Sequence, residues 1–373
     1  MIQLRNYTYA AALACLAAIA SCSSSEEVTP GSEYDRKAML TNYADNLIIP
    51  GYQKFKAETD GMANAITAFT ASPSVTTLAA ARKEYQEAYQ AWQEVSLYEF
   101  GPADEQMLRT NLNIFPTTTS QIESNISAGS YNLQTTANLS AKGFPALDYL
   151  LYGQASEAAV VDQYTTATNA ANRKKYLQDL TTLVKQAADV TYTGWTTGSY
   201  AKNFKESGGT AVGSAVGNLV NQFNFEIDLS KRTKVGIPAG KFTAGTPQPE
   251  RVEAYYSHTS LALLERNLNA QKAIFLGQTA AGVNGPGLDD YLNHVDAAKK
   301  YNGLTLAEVI NQQFNAALTA LAAVPAPLDQ AVNSNLPAVN KLYEELQKLI
   351  ILTKTDLPAA LGVTITYTDN DGD

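Results

Sequence analysis

The sequence predicts an all-α protein, two helical bundles packed side by side, with an export segment ahead of them. Three observations carry that prediction. Apolar residues recur at i, i+3 and i+4 over long stretches of the chain. Glycine and proline clusters are confined to a few segments between those stretches. Strand-like alternation is limited to a short tail at 363–367.

Residues 1–21 read as a signal peptide. Arg5 supplies the positive charge, an apolar run follows over 9–20, and Ile19-Ala20-Ser21-Cys22 closes it. That run is too short for a spanning helix with soluble flanks. A cysteine directly after small residues resembles the lipobox of bacterial lipoproteins, so Cys22 is the expected lipidation site and a lipid membrane the expected partner. The only two cysteines are Cys15 and Cys22; cleavage before Cys22 leaves one, and no intramolecular disulfide. Residues 22–34, opening with Ser23-Ser24-Ser25-Glu26-Glu27, bury no apolar surface and read as a flexible tether. The acidic pair leaves two locations open for an outer-membrane lipoprotein, facing the periplasm or the cell surface.

The first bundle is expected over 35–206 and the second over 207–373, divided at Ser207-Gly208-Gly209. Helical spacing appears at 43–70 and 75–100; in the latter, Tyr85, Ala88, Trp92, Val95 and Tyr98 form a stripe opposite Arg82, Lys83 and Glu87. Further helices are predicted at 172–195, 210–229, 252–275, 304–323 and 328–352. Residues 111–142, rich in Ser, Thr and Asn, should be irregular with short helical turns, and 237–249, with Gly240, Gly245 and three prolines, should be a loop. Gly-Phe-Pro-Ala-Leu-Asp-Tyr-Leu from Gly143 echoes Gly-Pro-Gly-Leu-Asp-Asp-Tyr-Leu from Gly285, as duplicated bundles or two similar helix starts would produce.

The formal charge of −9 becomes −10 once Arg5 leaves with the signal. Nucleic-acid binding needs a basic face and does not fit this balance. A cationic ligand or metal ion would be attracted, although mild negative charge also serves solubility.

Residues 143–153 carry the densest information. Proline is favoured in the first turn of a helix, where its missing N–H is an orphan in any case. Gly143-Phe144-Pro145 is therefore a helix start, Leu147, Leu150 and Leu151 share an apolar face, and Gly153 is a stop signal. Positions 145 and 148 are three apart and share a face. Asp148 is either a first-turn carboxylate, stabilised by the helix dipole by up to about 1 kcal/mol, or part of a ligand site.

This segment resembles the Gly-x-His-x-x-Glu motif of imelysin-like proteins (peptidase family M75), with Pro145 in place of the histidine and Asp148 in place of the glutamate. The resemblance extends to Asn42-Tyr43-Ala44-Asp45, Ile49-Pro50-Gly51-Tyr52, Gly101-Pro102, Asn113-Ile114-Phe115-Pro116, Arg232 and the stretches 79–92, 253–260 and 267–277, about residues 35–350 in all. It implies a two-bundle helical fold with a site near the bundle interface, an envelope location and a part in iron uptake. Some relatives are described as metallopeptidases. The substitutions at 145 and 148 remove the motif's nitrogen ligand and count against hydrolysis.

The remaining residues offer little catalytic chemistry. Only His258 and His294 exist, and no His-Glu-x-x-His segment is present. No Gly-x-Ser-x-Gly elbow occurs, and the small-residue run from Gly213 to Gly217 lacks the lysine of a phosphate loop. Oxygen donors are plentiful: Tyr149, Tyr152, Tyr255 and Tyr256 with Asp148, Glu226 and Glu253 would suit a hard cation, or simply line helix interfaces. The expected ligand-binding set is Gly143, Pro145, Asp148, Tyr149, Arg251 and Ser257, with Asp148 and His258 as the metal pair and iron or zinc as the ion. The favoured function is a lipid-anchored binding component of iron or metal uptake, without catalysis. A metal-dependent peptidase and a scaffold or glycan-binding lipoprotein are the alternatives.

Overall fold

Asp35 starts the first helix by accepting the Ala38 N–H at 2.9 Å, a side-chain cap for an otherwise orphaned donor. The computed structural model describes residues 33–367; the signal segment, Cys22 and nearly all of the tether lie outside them. The capped helix, Arg36–Asn42, passes through a wider π-register stretch, Tyr43–Ile48, into Ile49–Ala71. Pro50 is tolerated at that junction, where the ordinary hydrogen-bond ladder is already interrupted.

Eight helices position the site and are numbered here in chain order. They are α1 (Ile49–Ala71), α2 (Val75–Val95), α3 (Gly143–Tyr152), α4 (Ala170–Thr196), α5 (Ala215–Leu229), α6 (Ser260–Phe275), α7 (Leu306–Ala322) and α8 (Leu336–Ile351). The all-α prediction holds: no β-ladder occurs among the described residues, and the 363–367 tail is not a strand. The tail is instead held by Asn221, which donates to the Thr364 carbonyl and accepts from the Thr366 N–H, and by Phe225, whose ring meets Tyr367 edge-on at 5.3 Å. No described helix is long and apolar enough to cross a membrane.

Local chemistry explains most boundaries. Ser74 and Thr77 form a capping box at the start of α2, and Thr305 with Glu308 forms another at α7. Ser214 caps α5 through the Gly217 N–H at 3.0 Å, so this helix begins later than 210. The predicted 328–352 helix is broken at Asn335, two residues before Pro337, which has no N–H to continue the hydrogen-bond ladder of the preceding helix. The predicted 75–100 helix stops at Val95, and Tyr98 and Phe100 turn inward. Phe100 stacks on Phe204 at 5.7 Å and meets the edge of Trp195 at 6.1 Å. The segments from Gly143 and Gly285 both lead into helices as expected, the second into Leu288–Val295.

The largest departure is at 252–275. The helix begins only at Ser260, and the preceding residues form an irregular turn in which Ala254 and His258 take φ of +51° and +61°. Left-handed backbone costs a non-glycine residue roughly 1–2 kcal/mol, so local preference alone would not choose it.

Helix α1 packs between α2 and α4, and α7 packs on α6 and α8. Buried Leu264, Leu268, Leu321, Val339, Leu342 and Leu346 knit the latter group together. Helix α2 also packs directly on α6. The face they share is polar, and it leads to the site.

Candidate functional site

Helix α3 is placed by its first residue. Gly143 has φ +74°, and a Cβ there would lie 2.2 Å from the carbonyl oxygen of Leu112. Only glycine lets α3 start against the end of the Leu108–Leu112 helix. Phe144 then stacks on Tyr89 of α2, with ring centroids 4.5 Å apart and planes 4° from parallel. Pro145 follows in the first turn, buried and without a hydrogen-bond donor to satisfy.

Asp148 lies beyond the first turn, 1% exposed, so the helix dipole is not its main partner. One carboxylate oxygen accepts from the backbone N–H groups of Tyr256 at 2.8 Å and Ser257 at 3.3 Å; the other accepts from the Tyr85 hydroxyl at 3.3 Å. Burial pushes the Asp148 carboxyl up to about 6, against the opposing pull of hydrogen bonds from Ser257, Tyr256 and Tyr85. The carboxylate is thus the clamp that holds the left-handed turn between Ala254 and His258.

That turn and α3 enclose a cavity of about 270 Å³, lined by Phe115, Pro145, Asp148, Glu250, Tyr255 and Tyr256 among others. Of the expected site residues, Pro145 and Asp148 face this cavity, Gly143 sets the start of their helix, and Ser257 binds Asp148. Tyr149 sits beside it: its ring meets Tyr256 edge-on at 5.1 Å and its hydroxyl donates to Glu123 at 2.8 Å. Arg251 is exposed and donates to Gln248 at 3.2 Å; its neighbour Glu250, not singled out from sequence, lines the cavity instead. His258 is half exposed, and its Nδ1 pairs with Asp329 at 3.0 Å. No hydrogen bond or ion pair joins it to Asp148. Among the described residues, no three His, Cys, Asp or Glu side chains are grouped closely enough to hold a metal ion.

Phe115 also lines a second cavity, of about 260 Å³, whose charged walls sequence reading only partly identified. Helix α5 delivers Glu226, 2% exposed, which accepts from Ser96 and Asn267 at 2.9 Å and from Arg109 at 3.3 Å. Burial alone would raise this carboxyl, but Arg109 and Lys234, with Ser96 and Asn267, outweigh it and hold Glu226 below its ordinary range. Beyond α5 the chain widens into a π-register stretch, Ser230–Gly236, that delivers Lys234. Its ammonium donates to Gln93 at 2.6 Å and lies 3.3 Å from Glu253. Glu253, 1% exposed, accepts from Gln93 and Asn113 at 2.8 Å. The Lys234 ion pair compensates the other Glu253 oxygen, which accepts no hydrogen bond. A sequence signal for Glu226 does exist: Phe223 and Leu229 stand three residues on either side, so a carboxylate interrupts an apolar stripe. Arg109 and Lys234 carry no comparable local signal.

The comparisons with known proteins come down on one family. The family model for imelysin matches residues 48–355. Iron-regulated protein A of Synechococcus elongatus is 24% identical over 339 residues, covering 88% of this chain and 86% of the relative. A crystal structure from Parabacteroides distasonis, described as an iron-regulated protein A precursor, superposes with a TM-score of 0.73 at 18% identity over 88% of this chain and 95% of that one. An imelysin-like protein from Psychrobacter arcticum gives a TM-score of 0.67 at 16% identity over 89% and 97%. At such identities these two structures speak for the fold. With the family match running from residue 48 to residue 355, the chain belongs to the imelysin family.

Proposed function

We propose that this chain is a lipid-anchored envelope protein that serves iron acquisition as a binding component, without catalysis of its own. One observation carries the reading: the residues that line the Asp148 cavity include Asp148, Glu250, Tyr255 and Tyr256, side chains whose donor atoms are all oxygens. The family's nitrogen position is occupied by Pro145. A lining whose side-chain donors carry oxygen and no nitrogen or sulfur suits a hard cation such as ferric iron better than zinc, which prefers nitrogen or sulfur. Burial raises the Tyr256 phenol above its ordinary value, so it would ionise only against a strongly acidic cation. The name iron-regulated protein A, carried by a relative, and the word precursor, attached to a structural neighbour, agree with an exported protein in iron physiology. Acylation of Cys22 would supply the outer-membrane anchor.

Calorimetric titration of the mature domain with ferric iron from a weak chelate, with zinc and with haem tests the proposal. Ferric binding is expected, weakening as pH falls through about 6, where Asp148 takes up its proton. If none of the three binds, and expression is indifferent to iron starvation, the reading fails. Chelator-sensitive peptide cleavage that disappears in Asp148→Ala would overturn its non-catalytic half. Mass spectrometry of the native N-terminus would find a diacyl or triacyl Cys22; a plain signal-peptidase cut elsewhere removes the anchor.

Pro145→His places an imidazole on the face that Asp148 shares, without breaking the first turn of α3. It is expected to raise affinity for zinc or nickel by about tenfold or more, measured by the same titration. An unchanged zinc affinity would mean that position 145 does not face a usable ligand site.

A further inference from the structure

We infer that the groove which α4 forms with Gln106, Asn111 and residues 131–134 binds a neutral saccharide. Its volume is about 740 Å³, inside the ~300–1,000 Å³ typical of small-molecule sites. It shares no lining residue with the Asp148 cavity, so the inference stands apart from metal binding.

Two adjacent rows on α4 give the groove its character. Leu183, Ala187 and Val190 are spaced i, i+4, i+7 and lay down an apolar strip, with Val190 48% exposed. Asp179, Thr182 and Gln186 form a polar row beside it. A pyranose ring has the same division, with apolar C–H faces and a rim of hydroxyls.

Charge decides against other ligand classes. No lysine or arginine lines the groove, so an anion finds no counter-charge there. The one lining carboxylate, Asp179, already accepts from Lys175 and from the Tyr131 hydroxyl, so a cation gains little. What remains is a set of uncharged hydrogen-bonding groups. Among the described residues, the side-chain amides of Gln106, Gln134 and Gln186 have no hydrogen-bond partner. Asn132 engages only its carbonyl oxygen, which accepts the Gln134 N–H at 2.9 Å, and its NH₂ stays open. Asn132, Gln134 and Gln186 are exposed, so a ligand can reach them. Each amide offers donors and an acceptor together, as neighbouring sugar hydroxyls require.

Exposed amides alone would be ordinary surface; the wall behind them is not. Lys142 is 1% exposed, yet its ammonium pairs with no carboxylate and donates to the Leu133 carbonyl at 2.9 Å. Burial lowers its pKa, with no acid opposing the shift. A buried charge without a counter-ion is costly, and this one serves to hold a carbonyl of the groove wall. Asn138 fixes the neighbouring Asn132 carbonyl at 2.9 Å, and the Tyr131 ring meets Tyr176 edge-on at 4.7 Å. Residues 131–134 are therefore set before a ligand arrives, which lowers the ordering cost of binding.

The test is binding of the whole mature domain to an array of neutral and acidic oligosaccharides, followed by calorimetry with the tightest neutral one. Saturable binding of a neutral glycan is expected, with sulfated or sialylated glycans binding no better. Gln134→Ala and Gln186→Ala each remove one exposed amide without touching the core, and each should weaken binding by about threefold or more. Ala187→Trp fills the apolar strip and should abolish binding; it is read alongside a cooperative thermal transition, and the two glutamine variants suffice if it does not fold. No glycan bound, a preference for acidic glycans, or an affinity unchanged in both glutamine variants would each overturn the inference.

Discussion

Gly143→Ala is expected to destabilise the protein by more than about 4 kcal/mol, against a total of roughly 5–15 kcal/mol for a typical domain. The added methyl would sit 2.2 Å from the Leu112 carbonyl oxygen and 2.5 Å from its carbonyl carbon. Those are backbone atoms at the end of a helix, and no side-chain rotation relieves the overlap. The left-handed φ of +74° adds a further cost, about 1 kcal/mol or more. Gly213 provides the control: its φ is +84°, but nothing lies within 4 Å of the added atom. Gly213→Ala should therefore lose only about 1–2 kcal/mol, the backbone cost alone. Denaturant unfolding of both variants separates the contributions. Equal midpoints would show that α3 can shift away from Leu112, and would undermine its role in placing Asp148.

Asp148→Ala is expected to cost about 2–5 kcal/mol, because it strands the part-buried N–H groups of Tyr256 and Ser257 and leaves a small void where a buried carboxyl stood. Asp148→Asn should cost far less at neutral pH. Its amide oxygen can take both backbone N–H groups, its amide NH₂ can face the Tyr85 hydroxyl oxygen, and no charge is buried. The two substitutions also separate under pH. The folded carboxyl sits at about 6, above its ordinary 3.8, so the native state holds the proton more tightly than the unfolded chain. Its contribution to stability is therefore fully present below about pH 4 and is lost as pH rises through 6, a swing of roughly 3 kcal/mol. The difference in unfolding free energy between wild type and Asp148→Asn, taken at several pH values, isolates this from every other titrating group. Wild type should gain on the variant as pH falls from 6 to 4. A flat difference would mean that Asp148 is not a desolvated carboxylate.

The helices were legible because what makes them is local. Ser74 and Thr305 cap helices through residues three positions away, and the Tyr85, Ala88, Trp92 and Val95 stripe lies on one face by geometry alone. Proline had the same reach: Pro145 was readable as a helix-start residue, whereas Pro337 splits a helix that periodicity had joined. The family resemblance likewise lay in ordered short segments, and it extended over the region that the imelysin match covers.

The site was legible only in part. Pro145 and Asp148 were singled out and do line one cavity, while Arg251 points to Gln248 and His258 to Asp329. Glu250 was passed over in favour of its neighbour, since nothing in an exposed-looking Pro-Glu-Arg run tells which side chain turns inward. The turn before α6 has helical apolar spacing, yet it is held in left-handed backbone by a carboxylate more than a hundred positions earlier.

By itself, then, the sequence determined an all-α chain, the order of its helices, the start of α3 at Gly143 and membership of a family whose motif has lost its histidine. Tertiary structure alone decided which polar side chains meet: Asp148 with the Tyr256 and Ser257 N–H groups, and Glu226 with Arg109, Asn267 and Lys234. The physical reason is range. Caps, periodicity and backbone restriction act within one or two turns, whereas a buried charge is settled by whichever distant donors the folded chain brings within about 3 Å of it.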